Sequence, residues 1–82
     1  MRDKVRQWTD LTVKNLPLPE TGSKKLFDPS LPGFGVRLTA KSRTFIVQYG
    51  KPRQVRVIGK YPAMSLKTAR REALTVLYRR YL

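Results

Sequence analysis

At 82 residues with a formal net charge of +13 and 40% hydrophobic content, the chain can close one small core but leaves no room for a catalytic cleft between domains. It has no cysteine and no histidine, which excludes a disulfide framework and the common zinc and general-base arrangements; five scattered acids make a bound metal unexpected, and no cofactor is expected. Apolar runs of only a few residues and a polar, charged MRDKVRQ start point away from a membrane span or a secretory signal and toward the cytoplasm.

In chain order, residues 1–8 form a basic lead-in with Arg2, Lys4 and Arg6, a flexible arm ahead of a single domain over 9–82. Such an arm is as consistent with lying along a minor groove as with a tail that has no role. Thr9 or Asp10 can N-cap a short helix to about Leu16, with Leu11, Val13 and Leu16 as its apolar positions, before Pro17 and Pro19 stop it. Residues 17–33 are rich in Pro, Gly and Ser and read as a wandering connection with one short extended piece at LFD. Pro32 and Gly33 then make the turn that launches the first regular strand.

From Phe34 the period is two. Phe34, Val36 and Leu38 alternate with Gly35, Arg37 and Thr39, and after a predicted two-residue turn at Lys41-Ser42, Phe45, Val47 and Tyr49 alternate with Thr44, Ile46 and Gln48. That turn sets Leu38 against Phe45, Val36 against Val47 and Phe34 against Tyr49. A third strand is predicted over about Arg53 to Ile58, ending at Gly59; a turn over Lys51, Pro52 and Arg53 sets Val55 against Tyr49 and Val57 against Val47, and sends Gln54, Arg56 and Ile58 to the other face. Ser65 is a good N-cap for a long helix whose Leu66, Ala69, Ala73, Val76 and Leu77 form a stripe suited to cover the apolar face of the sheet. The fold class expected is therefore α+β: a three-stranded antiparallel sheet on one C-terminal helix, with a short N-terminal helix.

The second face of this sheet has no element assigned to cover it. On the predicted register it carries Arg37, Thr39, Thr44, Ile46, Gln48, Gln54 and Arg56, with Ile58, and these side chains can reach base edges or thymine methyls. Lys41, Arg43, Lys51, Arg53 and Lys60 stand around its rim, where phosphates would lie. Exposed sheet faces in any soluble protein carry Thr, Gln and Arg, and a folded-over N-terminal segment would equally account for the isoleucines. Against a merely solvated face stands the charge distribution: between Asp28 and Glu72 there is no acid among ten lysines and arginines. Nucleic acid is the expected partner, ahead of a membrane or an acidic protein.

Several ordered stretches carry a resemblance. Thr9-Asp10 with Val13-Lys14-Asn15-Leu16, KLFD at 25–28, PGFGVRLT at 32–39, RTFIVQY at 43–49, GKYP at 59–62 and SLKTAR at 65–70 resemble the N-terminal arm-type DNA-binding domain of phage and genomic-island integrases of the tyrosine recombinase family. The resemblance implies a three-stranded sheet whose exposed face enters the major groove of arm-type sites in double-stranded DNA. It also implies a bacterial or phage-encoded, nucleoid-associated protein, with core-binding and catalytic domains following in the full-length integrase. The recombinase constellation of Arg, Lys, His and Tyr is not expected in this piece, so it is not expected to be an enzyme, and Tyr49, Tyr61, Tyr78 and Tyr81 are not read as its nucleophile. Three departures from the family pattern stand out: Thr68 where an acid commonly completes the capping box, a first hairpin without its usual glycine, and Arg56-Val57 where an apolar residue and Thr are common. A flip of the last strand by one residue would turn Arg56 and Ile58 toward the helix.

Two other functions fit the same features. One is a double-stranded RNA-binding domain, though the first helix is short for that role. The other is an interaction module that meets other integrase subunits or an accessory directionality factor. Asp28 is expected to pair with Arg70 or to cap a turn, and Tyr61-Pro62 to anchor the helix.

Overall fold

The computed structural model describes residues 8–79; the tail with Arg2, Lys4 and Arg6, and Arg80 and Tyr81, lie outside the described residues. The elements run α1 (Asp10–Lys14), β1 (Lys24–Phe27), β2 (Phe34–Leu38), β3 (Arg43–Tyr49), β4 (Gln54–Tyr61) and α2 (Leu66–Arg79). The sheet has four strands, in the order β1-β2-β3-β4 and antiparallel throughout, not the three expected. The additional strand is the KLF stretch, which was expected only as a short extended piece. Its four residues pair along β2, from Lys24 against Leu38 to Phe27 against Gly35, and two lysines blunt this edge against further pairing.

Thr9 caps α1 through a reciprocal pair: Thr12 N donates to Thr9 Oγ1 at 3.2 Å and Thr9 N to Thr12 Oγ1 at 3.2 Å. The helix stops at Lys14, earlier than Leu16, because the residue before Pro17 is driven out of the helical region. Val13 is buried, while Leu11 is exposed. The carboxylate of Asp10 is used elsewhere: Oδ1 accepts the Leu66 amide at 3.0 Å. It supplies to the first turn of α2 the acid that this turn lacks in its own sequence. Ser65 caps the same helix through the Thr68 amide at 3.2 Å, and Thr68 Oγ1 accepts from Ser65 Oγ at 3.1 Å.

The core forms where α2 lies on one face of the sheet. Phe34, Val36 and Leu38 of β2, Phe45 and Val47 of β3, and Leu66, Ala69 and Ala73 of α2 are buried there with Val13, and Trp8, Leu16, Leu18, Leu26, Ile58, Tyr61, Val76 and Leu77 pack around them. The helix stripe is the one that the sequence periodicity predicts. Phe34 and Phe45 stack at 5.9 Å, and Tyr61 meets Phe45 edge-on at 6.4 Å, which anchors the approach to α2. Asp28, 1% exposed, both pairs with Arg70 Nη2 and caps its turn by accepting from Ser30 N at 2.8 Å and Ser30 Oγ at 2.7 Å. This ties the β1–β2 connection to α2.

Both hairpin registers differ from expectation. The first closes over Ala40 and Lys41, with Thr39 N donating to Ser42 O at 3.0 Å, so Leu38 faces Arg43, Val36 faces Phe45 and Phe34 faces Val47. Hydroxyls replace the missing glycine: Thr39 Oγ1 and Ser42 Oγ bond at 2.8 Å, and Lys41 N donates to Thr39 Oγ1 at 3.3 Å. Because the shift is two residues, every β2 and β3 side chain keeps its predicted face.

In the second hairpin Gly50, at φ +84, joins the turn, and Tyr49 faces Gln54 instead of Val55. A one-residue shift turns the start of β4 over: Val55 and Val57 fall opposite Gln48 and Ile46, and Gln54 and Arg56 opposite Tyr49 and Val47. A bulge at Ile58 then absorbs the difference, so that Gly59, Lys60 and Tyr61 face Phe45, Thr44 and Arg43 as the predicted register has them. Gly59 does not end the strand. It makes room for Met64, whose Sδ and Cε would lie 2.9 Å from any Cβ at that position.

Candidate nucleic-acid interface

The face opposite α2 is covered by no element among the described residues, and the ladder fixes what it displays. Two lines of side chains cross all four strands. One is Lys25, Arg37, Thr44 and Lys60; the other is Phe27, Gly35, Ile46 and Val57. Gln48 and Val55 begin a third. No strand contains an acid. Of the four acids among the described residues, Asp10 bonds the α2 amide, Asp28 is buried against Arg70, Glu72 lies on α2 and Glu20 in the connection before β1. The field over this face therefore keeps one sign.

Of the residues predicted to read bases, Arg37, Thr44, Ile46 and Gln48 share this face, with Arg37 and Gln48 half-buried and Ile46 fully buried as part of its floor. Thr39 does not stand free on it, because its hydroxyl is held by Ser42 and Lys41 in the turn. Gln54 and Arg56 sit on the opposite side, level with Tyr49 and Val47, for the reason of register given above. Ile58 packs toward the core and needs no N-terminal cover.

Among the predicted phosphate residues, Lys41, Lys51 and Arg53 are exposed on the two turns, and Lys60 is exposed at the end of the basic line. Arg43 is different. It shares the core side of the sheet with Leu38 and Tyr61, and its Nη2 donates to the Leu16 carbonyl at 3.1 Å while Nε is buried without a partner. That geometry holds the segment after α1 against the sheet instead of presenting a cation to solvent.

Four residues of the open face were not anticipated: Lys25, Phe27, Val55 and Val57. A signal for the first two was present in Gly35, since a glycine inside a strand marks a close approach. Here a Cβ would lie 2.4 Å from the Leu26 carbonyl oxygen and 2.7 Å from Phe27 Cδ1. The Phe27 ring reaches across β2 at the one place with no side chain. At the same end, Phe27, Gly33, Gln48, Tyr49 and Arg53 line an open groove of about 380 Å³.

Several alternatives find no support in these groups. Among the described residues no cluster of three acids, histidines or cysteines could hold a metal, and no helix is long and apolar enough to cross a membrane. A family model described as an arm DNA-binding domain matches residues 8–79. No curated protein and no solved structure matches the chain significantly.

Proposed function

Because the chain belongs to the arm DNA-binding domain family, with DNA as its partner and integrase-like recombination as its setting, we propose that it binds arm-type sites by laying the open face of its sheet in the major groove. The observation that carries this reading is the acid-free line Lys25, Arg37, Thr44, Lys60 on the open face, whose ends are exposed, with Arg37 half-buried and Thr44 buried between them. With strands about 4.8 Å apart, the outer lysines of the line stand about 14 Å apart. The major groove is about 12 Å wide, so Lys25 and Lys60 meet its phosphate walls while Arg37 and Thr44 lie over base edges. Gln48 reads from the adjoining line, and Lys41, Lys51 and Arg53 on the turns neutralise further phosphates.

In this reading the chain breaks and joins no DNA. That chemistry belongs to the catalytic domain of a tyrosine recombinase parent, phage-encoded or carried by a genomic island, and this domain holds the parent on its arm sites. The exposed side of α2, with Lys67, Arg71, Glu72 and Tyr78, is left for other integrase subunits or an accessory directionality factor, and substitutions there leave DNA affinity unchanged.

The test uses a duplex that the protein selects from a randomised pool. Arg37→Ala loses preference at one base pair, by about 1–3 kcal/mol, whereas Lys60→Ala weakens all sequences alike and lowers the salt slope by about 0.9. Wild-type affinity in both variants would show the open-face reading to be wrong, and tighter binding to matched A-form RNA would replace DNA with RNA as the ligand.

A further inference from the structure

The open face is not uniformly basic. Beside the Lys25–Lys60 line runs a strip of different chemistry: Phe27, Ile46 and Val57 aligned across β1, β3 and β4, with Gly35 between the first two and Val55 two residues along the edge strand from Val57. The Phe27 ring fills the gap over Gly35. Ile46, in the middle of this strip, is completely buried. Phe27, Val55 and Val57 remain 39%, 39% and 55% exposed.

Solvated strand positions are ordinarily filled by Thr, Lys or Gln. Three apolar residues brought together on an uncovered face, all of them on edge strands, are a liability unless a partner covers them. The charge around the strip selects that partner. Lys25, Arg37 and Lys60 border it on one side and the Lys51 and Arg53 turn lies beyond the other, with no acid in the sheet. The occupant has to be an anion that also offers small apolar groups. In a duplex those groups are the 5-methyls of thymine, which project into the major groove.

We infer that Phe27, Val55 and Val57, packed around Ile46, read thymine methyls, so that the target carries thymines beside the base pair read by Arg37. The inference rests on the major-groove reading above and deepens it by naming a base class. Its test is chosen to separate the two.

The pool-selected duplex is made in two forms, one with thymidine and one with deoxyuridine at every thymine position, which keeps the O4 acceptor and the pairing with adenine and removes only the methyl. The wild type binds the thymidine form more tightly, by about fourfold for each methyl buried. In a Val55→Ser, Val57→Ser double variant the ratio between the two forms falls toward one, while the salt dependence of binding stays as it is. Serine removes both methyls at two exposed positions, and circular dichroism confirms the fold. Equal wild-type affinity for the two forms overturns the inference and leaves the major-groove reading standing. An unchanged ratio in the double variant overturns the assignment to these residues, and no salt-dependent binding to either form overturns both readings.

Discussion

The covered and open faces of this sheet are woven from alternate residues of the same strands, yet they are filled by opposite rules. Under α2, Phe34, Val36, Leu38, Phe45 and Val47 have no exposure at all and form one cluster with Leu66, Ala69 and Ala73 of the helix. On the other face Lys25, Arg37 and Lys60 lie alongside Phe27 and Val57, a mixture that no core would accept and that bulk water alone would not select. On the proposed reading, one face sets stability and the other sets the partner. Substitutions on the two faces should therefore move different measurements.

The largest effect belongs to the covered face. Phe45→Ala removes a ring stacked on Phe34 and touched by Tyr61, and should cost about 3–5 kcal/mol in denaturant unfolding. Next is Asp28→Asn, which leaves Arg70 without its charge partner. The Arg70 side chain keeps 20% of its exposure, so the cost falls at the low end of the range for a broken buried pair, about 3 kcal/mol. Either variant that remained folded should keep its sequence preference for DNA. A lost preference in a folded Phe45→Ala protein would mean that the two faces are not separable.

Gly35→Ala joins the comparison in the middle. A methyl placed against the Leu26 carbonyl and the Phe27 ring must push β1 away, at about 1–3 kcal/mol of stability, and it should weaken DNA binding as well because Lys25 and Phe27 leave with the strand. The smallest effect is expected from Arg56→Ala, within about 0.5 kcal/mol in stability and with base preference unchanged, since this exposed arginine stands level with Val47 on the side away from the open face. A shift in preference at one base pair in that variant would contradict the observed β4 register.

Where local chemistry decided the outcome, the sequence was sufficient. Alternation in FGVRL and RTFIVQY assigned every side chain of β2 and β3 except Arg43 to its face, and Ser65 with the Leu66, Ala69, Ala73 stripe marked α2. Even the first turn, predicted two residues out of place, did no harm, because a shift of two preserves the faces. What could not be read were events that depend on partners distant in the chain. KKLF has too little alternation to declare itself a strand, and becomes one by pairing along β2. Arg43 resembles any rim cation until the Leu16 carbonyl, 27 residues earlier, is seen to hold it. For β4 the sequence offered two registers that differ by one residue, and the choice between them fell to Gly50 in the turn and to the bulge. The open face was thus legible at Arg37, Thr44, Ile46, Gln48 and Lys60, and illegible at Lys25, Phe27, Val55 and Val57.

The bulge at Ile58 has a bearing on how such domains diversify. It is one residue of slack stored in an otherwise continuous ladder. Were that slack passed into the turn that follows Tyr49, the ladder would straighten, Gly59 to Tyr61 would stay where they are, and Val55 and Val57 would trade places with Gln54, Arg56 and Ile58. The edge strand would then present an amide and a guanidinium in place of Val55 and Val57 on the open face, and Ile58 would leave the core side. A change of loop length by one residue is therefore enough to rewrite what one edge of this sheet presents to a partner on the proposed open-face reading.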